Sequence, residues 1–113
     1  DWEIGLDWDS TTSDKGAFYM SVPETASYRS MEPVASHWQE HHKLGDSLLT
    51  GLKGAGVKIF SSGKMAMDLT QTSYSTVPSI DIELGDKASN HSAAVLEQLG
   101  NGLADGVDLF FGN

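Results

Sequence analysis

The chain has 113 residues, a formal charge of −9 and no cysteine. That is one domain's worth of sequence, and disulfides, thiolate metal sites and cysteine nucleophiles are excluded. Arg29 is the single arginine, so no basic face exists to displace counterions from nucleic acid, and no run approaches the ~20 apolar residues of a membrane span.

The first element is an alternating strand. Trp2, Ile4, Leu6 and Trp8 face one way, with Glu3, Gly5, Asp7 and Asp9 between them. Ser10 to Gly16 reads as a polar turn. Phe18, Met20 and Val22 then alternate with Tyr19 and Ser21, and Pro23 ends that strand because it cannot donate to a ladder. The two runs are expected to form an antiparallel hairpin with one wet face.

Pro33 suits the first turn of a helix. Val34, Trp38, His41, Gly45, Leu48, Leu49 and Leu52 recur at helical spacing, and Gly51, Gly54 and Gly56 close the element. Val57 and Ile59 make a short strand. Met65, Met67 and Leu69 alternate, as do Ile80, Ile82 and Leu84. Ser89 or Asn90 is a natural cap for a second helix through Val95, Leu96, Leu99 and Leu103. Gly100, Gly102 and Gly106 are expected to loosen or end it, and Val107, Leu109 and Phe111 to form a last strand.

The expected fold is therefore α+β, a mostly antiparallel sheet of about six strands with two helices on one face. The order β-β-α-β occurs twice, in residues 1–60 and 61–113. The segments Gly51-Leu52 to Phe60 and Gly102-Leu103 to Phe110 share letters, which suggests a degenerate internal duplication. Chance similarity in a glycine-rich chain is the alternative.

The one local group able to bind metal or move protons is His37-Trp38-Gln39-Glu40-His41-His42. Residues four apart share a helix face, so His37 and His41 with the Glu40 carboxylate form a candidate zinc site. The pentapeptide resembles the H-x-x-E-H motif of the metalloproteases with the inverted zinc motif. That resemblance covers five residues and implies two histidine ligands, Glu40 as base, and a third ligand from elsewhere, for which Glu83 and Glu97 are the candidates. The opposing reading places His41 in the core, since it falls inside the apolar stripe between Val34 and Leu48. Asp9, Ser10, Thr12 and Asp14 supply oxygens that a calcium ion could use, or are turn formers.

No nucleophile elbow or phosphate loop is legible. The leading expectation is a non-enzymatic protein–protein interaction module without a cofactor: an inhibitor, an immunity-like partner or a subunit of an extracellular or viral assembly. Its partner would be a basic protein or a second copy of the chain, with no nucleic acid, and its place secreted or periplasmic. The alternative is a small metal-binding protein or zinc-dependent hydrolase using His37, Glu40 and His41.

Overall fold

The computed structural model describes residues 2–9, 16–67, 69, 73–86 and 92–112. The elements run β1 (Glu3–Asp9), β2 (Ala17–Ser21), α1 (Ala26–Arg29), α2 (Val34–Gly54), β3 (Ile59–Ala66), β4 (Ser79–Asp86) and α3 (Ala93–Phe111). The class is α+β. The sheet is mixed and four-stranded, in the order β1-β4-β2-β3. β1 runs parallel to β4, β2 antiparallel to β4, and β3 parallel to β2.

This corrects the expectation of six mostly antiparallel strands in two ways. First, β1 and β2 do not form a hairpin, because β4 lies between them, with Leu6 opposite Ile82 on one side and Tyr19 opposite Ile82 on the other. Second, the runs read as two strands around Ile59 and Met65 are one strand. Ala17 pairs with Ile59 but Tyr19 with Lys64, so three extra residues bulge from β3. Ser61 and Gly63 take the positive φ values, 50° and 85°, that the bulge requires.

Nor do the described residues of the second half form a second ββαβ unit. Val107 to Phe110 are helical, inside α3, whereas Ile59 and Phe60 are in β3. Leu99, Leu103, Val107 and Phe110 share one helical stripe, and that period prevails over the two-residue spacing of Val107, Leu109 and Phe111. Gly102 and Gly106 do not break the helix. They are buried where α3 lies against α2.

The helix ends follow local chemistry. Ser92 caps α3, its Oγ accepting from Val95 N–H at 3.3 Å. The caps expected from the sequence, Ser89 and Asn90, lie outside the described residues. The Glu32 carboxylate accepts from Ser36 N–H at 2.7 Å and from the Ser36 hydroxyl. These bonds hold the Glu32 carboxyl below its ordinary pKa. α2 ends as expected: Gly56 turns left-handed at φ +86°, and Val57 N–H reaches back to Leu52 O at 3.0 Å.

The core lies between the sheet and α2, with α3 packed alongside α2. Ala17, Tyr19, Ile80 and Ile82 from the sheet meet Leu44, Leu48, Leu49, Leu52 and Leu99 from the helices. Ile4 and Trp8 pack against this cluster, but Trp2, Leu6, Met67 and Leu96, all expected inside, are largely exposed. β1 is an edge strand, so its apolar side chains have neighbours on one side only.

Candidate functional site

β4 is one of the two interior strands, and its side chains alternate. Ile80, Ile82 and Leu84 point to the helices. Asp81 and Glu83 therefore point to the opposite face. There Glu83 lies opposite Asp7 of β1 on one side and Phe18 of β2 on the other. Phe18 is itself buried and meets the Phe60 ring at 5.4 Å between centroids.

Glu83 is only 7% exposed. Carboxylates are rarely so buried unless they have a task or a partner, and perturbed carboxyl groups concentrate at functional sites. Beside it, Asp81 has its pKa raised, first by burial and then by the negative charge of Asp7. Asp7 itself is exposed and accepts from Trp8 N–H at 2.8 Å. The face thus carries one buried and one half-buried carboxylate on β4, next to an apolar wall.

The histidine cluster is arranged otherwise. His41 is fully buried, and its Nδ1 accepts from Ser79 N–H, at the start of β4, at 3.0 Å. His42 is half-buried, and its Nε2 accepts from Val22 N–H, just past β2, at 2.9 Å. Two successive side chains of α2 thereby fasten the helix to two strands. His37 is half-buried, its ring centroid 6.5 Å from that of His41, and Glu40 is exposed. Among the described residues no three His, Asp or Glu side chains are grouped to hold a metal ion. His37, Glu40 and His41 therefore do not fit the zinc that their spacing implies. The first of the candidate third ligands, Glu83, projects from the far face of the sheet, and the second, Glu97, is exposed on α3. Of the calcium candidates, Ser10, Thr12 and Asp14 lie outside the described residues, as does the side chain of Asp9.

Around His42 the packing is dense and polar. Arg29 donates to Pro23 O at 3.0 Å and Val22 O at 3.2 Å, and its guanidinium lies 3.8 Å over the Trp38 ring. Trp38 meets the His42 ring edge-on at 5.2 Å. Tyr19 donates to Asp46 at 2.9 Å, and Lys64 approaches the same oxygen at 3.4 Å. Burial, then the hydrogen bond and charge of Asp46, raise the Tyr19 pKa and keep the phenol protonated.

Burial, then the charges of Arg29 and Lys64, lower the His42 pKa from 6.5 to about 4, against opposing pulls from Asp46 and Glu24. The folded state therefore holds His42 neutral where the unfolded chain would protonate it. As pH falls from 6.5 towards 4 the unfolded state binds the extra proton, and stability drops across that window. Thermal melts of wild type and His42→Gln at successive pH values will show a shallower decline for the variant, whose amide can still accept from Val22 N–H. Parallel curves would remove His42 from the account.

No protein-family model matches this chain, and no curated protein sequence does. Solved structures do share its fold. The apo form of the N-acetylmuramyl-L-alanine amidase of Mycobacterium abscessus aligns over 98% of this chain and 55% of its own length, with a TM-score of 0.71 and 14% identity. The corresponding amidase of Mycobacterium smegmatis aligns over 98% and 54%, again at 0.71 and 14%. The chain spans about half the length of these structures. The expectation of a non-enzymatic interaction module is corrected here by this finding: the fold is one that two amidases share. That expectation rested on the lack of a local catalytic motif in the sequence. Glu83 reads in sequence as one more wet-face letter. The signal available was the pair Asp81 and Glu83 alternating with Ile80, Ile82 and Leu84.

Proposed function

We propose that this chain is an amide hydrolase domain of the N-acetylmuramyl-L-alanine amidase type, with Glu83 as its general acid–base. The observation that carries the reading is the Glu83 carboxylate, 7% exposed on an interior strand of a fold that amidases share. In open sheets with parallel strands, ligands bind beyond the carboxyl ends of those strands. Glu83 lies in the carboxyl-terminal half of β4, level with Asp7 near the same end of β1.

The chemistry asked of Glu83 is simple. As water attacks the amide carbon, the carboxylate takes its proton. The C–N bond then breaks, and the same proton goes to the departing amine, leaving a carboxylic acid and a free amine.

The test is the release of free amine from an N-acetylmuramyl-L-alanyl peptide, followed by mass spectrometry. Turnover by the wild type is expected, with a loss of about 10²–10⁴-fold in Glu83→Gln at unchanged circular dichroism. Absence of turnover in the wild type, or equal rates in the two proteins, overturns the reading.

A further inference from the structure

On the helix side of the sheet, away from Glu83, the exposed face of α2 carries a cleft of about 510 Å³. Its wall includes Trp38, Gln39, His42, Lys43, Asp46 and Thr50, and Leu109 of α3 closes one side. The volume falls in the range of small-molecule sites, about 300–1,000 Å³. We propose that this cleft binds a short neutral oligosaccharide, with the Trp38 indole as the platform for one sugar ring.

Trp38 is fixed before any ligand arrives. Arg29 lies 3.8 Å over its ring, and His42 meets it edge-on at 5.2 Å. The cleft is lined by Trp38 and not by Arg29. A rigid aromatic surface of this kind costs little ordering on binding and suits the apolar face of a pyranose ring.

The polar groups supply what ring hydroxyls need, donors and acceptors together. His42 accepts from Val22 through Nε2, so its neutral ring carries a proton on Nδ1. Lys43 and the Gln39 amide are further donors. One Asp46 oxygen takes Tyr19 and Lys64, which leaves the other to accept. The Thr50 hydroxyl donates to Asp46 O at 3.0 Å and keeps its lone pairs for a ligand.

Other ligand classes fit less well. An anion would meet the Asp46 carboxylate, and a cation would meet Lys43 with Lys64 close behind. A wholly apolar ligand would cover Gln39, Lys43, Asp46 and Thr50 without giving them hydrogen-bond partners. A neutral, hydroxyl-rich ring satisfies both the balanced charge and the mixed donor and acceptor set.

The experiment is a titration of the chain with tetramers of glucose and of N-acetylglucosamine, read by NMR on the Trp38 indole signal and by calorimetry. One tetramer or both will shift that signal saturably at millimolar concentration or below. Trp38→Ala will weaken binding at least tenfold, and Trp2→Ala, on the β1 edge, will leave it unchanged. Because Trp38 also packs on His42, Gln39→Ala and Thr50→Ala serve as fold-neutral variants at exposed positions, and each will weaken binding severalfold. No response of the Trp38 signal to either sugar, or full affinity in Gln39→Ala and Thr50→Ala together, overturns the proposal. Binding is read without turnover, so a failed amidase assay leaves this result untouched.

Discussion

Alanine at Gly51 or at Gly106 will destabilise the protein by ~3 kcal/mol or more, measured by urea denaturation. The two helices meet there backbone to backbone. A Cβ at Gly51 would strike Gly102 O and Gly106 N, with Gly106 Cα at 2.8 Å, and one at Gly106 would stand 2.6 Å from Leu48 Cα and 2.8 Å from Ser47 O. None of these atoms belongs to a flexible side chain, so relief requires the helices to separate. Separation would loosen Leu48, Leu52 and Leu99, which the core needs together. Gly100 supplies the contrast, since a Cβ there meets nothing within 4 Å. Gly100→Ala will therefore raise stability by ~0.5–1 kcal/mol through backbone entropy and helix propensity alone. If Gly51→Ala unfolds at the wild-type urea concentration, the close crossing is refuted.

His41→Ala will cost about 3–5 kcal/mol, for two reasons that add. It empties a fully buried volume. It also leaves the N–H of Ser79, a residue with no exposed surface, without its 3.0 Å acceptor. His37→Ala removes a half-buried ring from the same helix and will cost much less. Should the two substitutions prove equal, the bond to Ser79 contributes nothing.

Much of the local structure was legible in the residues. The stripe from Val34 to Leu52 and the turn at Gly56 locate α2, because about five turns of a consistent period leave little choice. Ile80, Ile82 and Leu84 locate β4 in the same way. Which strands lie side by side was not legible, since alternation states that a strand has two faces and not which neighbour it has. Val107 to Phe111 were misread for a related reason: three apolar residues two apart satisfy a strand pattern, while the glycine contacts that make the segment helical belong to α2 as much as to α3. The site divides similarly. The histidines drew notice through proximity in sequence, yet the structure uses two of them as acceptors for strand backbones. Glu83 had no local signature, because its burial depends on Phe18 and the other side chains of neighbouring strands.

The place of β4 in the sheet also governs the order of assembly. β1 and β2 are both complete before residue 22, yet they touch each other through a strand that begins at Ser79. Until that strand arrives, the residues up to Ala66 can form α2 and the parallel pair of β2 with β3, while β1 has no ladder to join. Closing the gap between Glu3 and Ser79 brings together two distant parts of the chain, and such contacts slow folding. On a ribosome the protein would therefore remain incomplete until its last third had emerged, with the apolar faces of Ile4 and Trp8 uncovered in the meantime.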